Sequence, residues 1–272
     1  MTAAAMRGLL MALLIALPSL ILPPTQGHSP ELVTLTAILL GCFVFAEYFS
    51  TSPSFLEFRD ARPMNRCRFA ALAVCVFLVS LLTRHEAAPT GLTALTSSLG
   101  HLLAQGLDIA FSPVRLVQLV LPPDLSDPAV ELARRATAMA YTASLSSVLV
   151  FGLIIRTGRW PQRNGPFNVW INLPLFDPTT GGDVVTRLQR DARLHIAGGV
   201  LAPFLLPAMV KLGSGSMDPA LFANAQLFVW AVTGWAMFPA MMIMRGMARL
   251  RVAELIAVQR RSFALDDELQ TA

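Results

Sequence analysis

Leu99-Gly-His-Leu-Leu-Ala-Gln-Gly-Leu-Asp-Ile-Ala-Phe-Ser-Pro-Val-Arg-Leu-Val-Gln-Leu-Val-Leu121 admits two readings, and the choice between them sets the fold. It is long enough for a transmembrane helix, which takes about 20 mostly apolar residues. Against that, it carries His101, Gln105, Asp108, Arg115 and Gln118, and Ser112-Pro113 interrupts its middle. Six other stretches need no such allowance: residues 8–22, 33–49, 69–83, 137–155, 196–210 and 221–244. The first and third are short, so they must recruit flanking residues or thin the bilayer.

Arginine placement decides the question, because cytoplasmic loops retain basic residues. With six spans and a cytoplasmic N-terminus, the inner segments hold Arg7, then Arg59, Arg62, Arg66 and Arg68. Next come Arg156, Arg159, Arg163, Arg187, Arg190 and Arg193, then Arg245, Arg249, Arg251, Arg260 and Arg261. Only Arg84, Arg115, Arg134, Arg135 and Lys211 remain outside. A seventh span at 99–121 inverts everything after it, puts most basic residues outside and buries Arg115. Six spans are therefore expected, with both termini inside. Residues 99–121 become an outer-face helix or helical hairpin, broken near Pro113 and lying on the membrane or re-entering it.

The composition agrees. Hydrophobic residues make up 54% of the 272, and charged residues 14%, against roughly 25% in a soluble domain. That excludes a disordered chain, a disulfide scaffold and a nucleic-acid arm. Net charge is +4, but the arginines lie beside apolar runs, where the natural anion is a lipid headgroup. Usage rich in alanine and arginine with a single lysine points to a bacterial inner membrane. Cys42, Cys67 and Cys75 have no metal-ligand spacing, and thiols in apolar runs act as small hydrophobes. Arg7 and the run after it have the outline of a signal peptide, but 23–27 lacks a small-x-small cleavage site, so an uncleaved anchor is expected.

The whole chain thus reads as one polytopic all-α membrane domain with interfacial amphipathic helices. It has an outer segment (84–136), a cytoplasmic loop (156–195) and a cytoplasmic C-terminal helix (245–272). In the outer segment, Pro122-Pro123-Asp124 separates the 99–121 helix from a short second one over 128–135, with Asp127 as N-cap and Pro128 at N1. Asp108 and Arg115, seven residues and about two turns apart, would share one helix face and are candidates for a polar pocket.

Two inner segments carry the candidate partner contacts. In the 50–68 loop these are Phe55, Phe58, Arg59 and Arg62, since Phe55, Leu56 and Phe58 cannot all be buried in so short a loop. Glu57 is expected to pair with Arg59 or Arg62, and Asp60 with a neighbouring arginine. In the 156–195 loop the candidates are Phe167, Trp170 and Phe176, exposed aromatics being common anchors. Residues 183–195 then form an amphipathic helix. Val184, Val185, Leu188 and Ala192 lie on one side; Arg187, Arg190 and Arg193 lie on the other, as candidates for headgroup contact.

In the last span Pro239 should kink the helix. Gly234, like Gly198-Gly199 on the span before it, should allow close helix approach. Met241, Met242, Met244 and Met247 read as adaptable packing, or as a cradle for a lipid tail or quinone. The helix is expected to run on past Arg245, with Val252, Leu255, Ile256 and Phe263 as an apolar stripe.

No phosphate loop, His-Glu-x-x-His or Gly-x-Ser-x-Gly string occurs, so no catalytic, cofactor or metal residue is named. The function expected is a non-catalytic accessory, scaffold or assembly subunit of an inner-membrane complex. Its partners would be lipids and other integral membrane subunits, with no nucleic acid. Two alternatives make different demands: a channel or transporter would use Asp108 and Arg115, and an inner-face enzyme Asp177, Asp183, Asp191 and His195.

Overall fold

A computed structural model describes residues 1–24, 30–158, 160–161, 168–177, 179 and 181–271, apart from the side chains of 169, 170 and 264–271. Every regular element among them is a helix. Six are long and apolar enough to cross a membrane: α1 (Thr2–Ile21), α2 (Pro30–Phe49), α3 (Met64–Ala87), α6 (Asp127–Arg156), α8 (Val184–Gly213) and, over Ala225–Phe263, α10 (Ala225–Thr271). The chain is a multi-pass membrane protein by this measure. The two short stretches do recruit their flanks: α1 reaches 20 residues and α3 24, about 30 and 36 Å of helix.

The 99–121 stretch is broken as expected. Helix α4 (Gly91–Leu107) ends at Asp108, and α5 (Pro113–Gln118) begins after Ser112. One hydroxyl serves both ends. Ser112 Oγ accepts the Arg115 N–H (3.1 Å) as N-cap of α5 and donates to the Leu107 carbonyl (2.6 Å) at the end of α4. Between the helices Phe111 adopts φ 64° and stands 84% exposed. At 17 residues α4 is about 26 Å long, short of a span. Its Leu92, Leu95, Leu99 and Leu102 point outward, while Thr93, Thr96, Ser97, Gly100 and Ala104 are buried against α3 and α6. Small residues inward and leucines outward is the arrangement of helices packed in lipid.

Four local expectations need correction. The 128–135 helix is not separate; it is the first part of α6, whose N-cap is Ser126, not Asp127. The amphipathic 183–195 helix likewise runs straight into the span as α8, and Asp183 is its N-cap, accepting from the Thr186 N–H at 2.9 Å. Its apolar side does not face lipid. Leu188 is buried in a protein cluster with Met244, Ala248 and Val252 of α10, and Ala192 is buried where α8 meets Gly246 of α10. Finally, Gly234 faces open space, whereas Gly199 lets α8 touch α10: a Cβ there would lie 2.6 Å from the Pro239 carbonyl oxygen.

Among the described residues two large cores stack along the bundle, and a small third cluster joins Ala104, Val114 and Ala138. The first joins Val76, Val79 and Leu82 of α3, Ala136 and Met139 of α6, and Val229 and Met237 of α10. The second gathers Phe58, Met64, Phe151, Trp160, Leu188 and Met244 at one end. The methionines fill gaps above glycines: a Cβ on Gly198 would meet the Met242 methyl at 2.9 Å, and one on Gly152 the Met247 methyl at 3.0 Å.

Contacts also sort the segments by end. At one end Arg7 lies over the Tyr48 ring (4.1 Å), Glu57 meets Arg245, and Asp183 meets Arg260. At the other, Arg84 donates to the Ile21 carbonyl (2.7 Å), Arg135 meets Glu86 (2.8 Å), and the Met217 N–H donates to the Val120 carbonyl (2.7 Å).

Candidate functional site

The most heavily built polar site lies at the first of these ends. It starts with Glu47, at the last turn of α2, whose carboxylate accepts backbone N–H bonds from Ser54, Phe55 and Leu56 at 2.9–3.2 Å. Those bonds fold the 50–63 loop back toward the bundle and fix where its next residues point. Phe58 takes φ 57° and is almost fully buried, edge-on to Trp160 with centroids 5.6 Å apart. Its N–H donates to the Asn172 carbonyl (2.7 Å), and the Trp160 indole donates to the Ala61 carbonyl (3.0 Å). A non-glycine residue at such φ is held there only by its surroundings.

With Phe58 directed into the second core, Glu57 faces α10. It is 5% exposed and takes a two-pronged contact from Arg245, Nε and Nη2 each at 2.6 Å, and another from Arg249 Nη2 at 2.6 Å. Arg249, 3% exposed, also pairs with Asp191 of α8. Asp191 in turn lies 3.7 Å from His195 Nδ1. Burial alone would raise the Glu57 carboxyl; the Arg245 hydrogen bond and the two guanidinium charges outweigh it and hold it below its ordinary 4.5. Close by, Arg68 of α3 donates to the Met241 carbonyl at 3.3 Å. A loop, α8 and α10 are therefore clasped by two carboxylates and two guanidinium groups. Such a network positions elements: each of its four charged groups is held by at least one of the others.

The structure divides the candidate contact residues. Phe55, 64% exposed, and Arg62 face outward. Phe58 does not, for the reason given. Arg59 is turned inward, donating to the Ser50 carbonyl (2.5 Å) and the Glu47 carbonyl (3.3 Å), with Asp60 at 3.3 Å as expected. Phe176 is buried, with the Arg187 guanidinium 4.8 Å from its ring centroid. Phe167 and the Trp170 side chain lie outside the described residues. Arg190 and Arg193 are exposed, whereas Arg187 is half-buried and donates to the Asp177 carbonyl (2.9 Å).

Asp108 and Arg115 meet at 3.3 Å, but not along one helix: Asp108 ends α4, Arg115 belongs to α5, and Arg134 of α6 completes the group at 3.0 Å from Asp108. Of the carboxylates named for an enzyme reading, Asp177 accepts from Thr179, and Asp183 from Thr186 and Arg260 (2.5 Å). The Arg260 hydrogen bond, with the Thr186 N–H, lowers the Asp183 carboxyl to about 2. The four groups do not converge; only Asp191 and His195 are adjacent. Among the described residues no three His, Cys, Asp or Glu side chains are grouped to hold a metal.

Sequence reasoning paired Glu57 with Arg59 or Arg62 and missed Arg245 and Arg249, about 190 residues away. The available signal was spacing: Arg245 and Arg249 are four apart, so they share one face of α10. Asn172 was missed too, and nothing local marks it; its side-chain oxygen accepts the Asp60 N–H at 3.1 Å. No protein-family model matches this chain, and no curated protein or solved structure is significantly similar to it.

Proposed function

We propose that this chain is a non-catalytic accessory, scaffold or assembly subunit of a bacterial inner-membrane complex, with both termini cytoplasmic. The observation that carries this reading is the α1–α2 hairpin. Gly8 and Gly41 bring the two helices into backbone contact, a Cβ on Gly8 falling 2.6 Å from the Gly41 carbonyl oxygen. Among the described residues α2 packs on α1 and makes no other substantial helix contact. Its far side is a stripe of exposed Leu32, Leu35, Leu39 and Phe43, extended by Phe55, whose ring centroid is 6.0 Å from that of Phe43. A stripe at helical spacing ending in paired aromatics suits a partner's transmembrane helix.

Purification in mild detergent followed by mass spectrometry tests it. Integral membrane subunits should co-purify in fixed stoichiometry with the native chain and be lost from a Leu39→Ala, Phe43→Ala, Phe55→Ala triple variant that remains helical. A native chain that emerges alone sinks the proposal.

A further inference from the structure

Three of the membrane-spanning helices finish an outward-facing apolar stripe with an arginine. On α3, Phe77, Val74 and Ala70 are exposed and lead to Arg66. On α6, Leu145, Leu149 and Leu153 lead to Arg156. On α8, Leu205, Leu201, Ala197 and Leu194 lead to Arg190, with Arg193 beside it. Every step is three or four residues, so each set is one face of its helix. All four arginines are exposed and stand at the same end of the bundle, within five residues of Met64, Phe151 or Leu188 of the second core.

The charge of these groups is not balanced inside the protein. Among the described residues none of the four takes part in a side-chain hydrogen bond or an ion pair. Arg187 is different, since it donates to the Asp177 carbonyl. The carboxylates described at this end are engaged elsewhere. Glu47 holds the N–H groups of the 54–56 segment, and Glu57 and Asp191 hold Arg249. Asp60 holds Arg59, Asp177 accepts from Thr179, Asp183 holds Arg260 and Glu254 holds Arg251. The ammonium of a zwitterionic headgroup would find no free carboxylate among them. A soluble anion would meet the guanidinium groups but not the stripes. A molecule that meets both carries a negative head and hydrocarbon chains.

We propose that this end of α3, α6 and α8 binds phospholipids of net negative charge, with the phosphate on the arginine and an acyl chain along the stripe. The α8 site is the strongest of the three, because Arg190 and Arg193 lie three residues apart and can grip one phosphate together. None of these residues belongs to α2, so the sites stand or fall independently of the scaffold reading.

The test is a binding titration of the full chain in mild detergent with a short-chain fluorescent phosphatidylglycerol, repeated with the phosphatidylcholine of the same chains and label. Phosphatidylglycerol should bind at least about fivefold more tightly, the ratio carried by one cation beside an anionic headgroup. That advantage should fall at about 1 M salt, where charges are screened beyond ~3 Å. Arg190→Gln with Arg193→Gln should weaken phosphatidylglycerol binding about fivefold and leave phosphatidylcholine unchanged. Adding Arg66→Gln and Arg156→Gln should bring the two lipids to equal affinity; should that variant fail to fold, Arg66→Gln with Arg156→Gln alone should still reduce the preference. Arg260→Gln with Arg261→Gln removes the same charge as the α8 pair, but about 20 Å along α10 from the Gly246 contact, and should keep the preference. Inorganic phosphate at the lipid's concentration should not compete. Equal affinity of the native chain for both lipids overturns the proposal. So does a preference that survives the folded arginine variants, one that the 260–261 variant also loses, or displacement of the lipid by phosphate, which would assign a free anion.

Discussion

Glu57 shows how one side chain can hold three parts of a membrane protein in place. Removing one partner of a buried ionic network leaves the others desolvated and unbalanced, a loss of about 3–5 kcal/mol. Glu57→Gln should therefore lower unfolding stability in detergent by about 3 kcal/mol, and Arg249→Met by a similar amount, while the double variant loses less than the sum. The pH dependence follows from the sign of the shift. The folded Glu57 carboxyl lies below its ordinary 4.5, so its contribution is complete above that value and is lost as pH falls through the lowered one. Acid unfolding curves of the native chain should show this loss, and those of Glu57→Gln should lack it. Asp183 is exposed and tests the same logic without a stability claim. Its carboxyl should titrate at about 2 by NMR, and Arg260→Ala should move it back toward the ordinary carboxylate range.

At the scale of elements, the bundle depends on where backbones touch. Gly246 is the clearest case: a Cβ there would lie 2.6 Å from the Ala192 carbonyl oxygen on α8. Gly246→Val should cost about 1–3 kcal/mol in detergent unfolding, the usual range for overpacking, whereas Gly234→Ala, in open space, should be neutral or slightly stabilising. The α4–α5 break was legible in the residues because proline and a capping serine have local physics. What the residues did not disclose is that 128–135 and 183–195 are continuous with the spans after them. Polar residues at the end of a long helix look like a separate amphipathic helix unless the tertiary partners are seen. In α8 those partners are Met244, Ala248 and Val252.

For the molecule as a whole, the arginine count predicted that residues 1–7, 50–68, 156–195 and 245–272 share one side. The contacts do gather Arg7, Glu57, Asp183 and Arg245 at one end of the bundle. Whether that end faces the cytoplasm, as proposed, can be read by labelling single cysteines with an impermeant thiol reagent after replacing Cys42, Cys67 and Cys75 with alanine. Ser52→Cys should react in inside-out vesicles only and Ser126→Cys, exposed in the turn before α6, in right-side-out vesicles only; the reverse pattern inverts the topology.

The residues alone determined the six long apolar helices found among the described residues and that the 99–121 stretch breaks near Pro113, because apolar length and proline act within one or two helical turns. Tertiary structure decided the rest. It chose Arg245 and Arg249 as partners of Glu57, and buried Phe58 and Phe176 where exposed anchors were expected. Each of those outcomes depends on which surfaces meet, and a surface has no sequence neighbourhood from which its partner can be read.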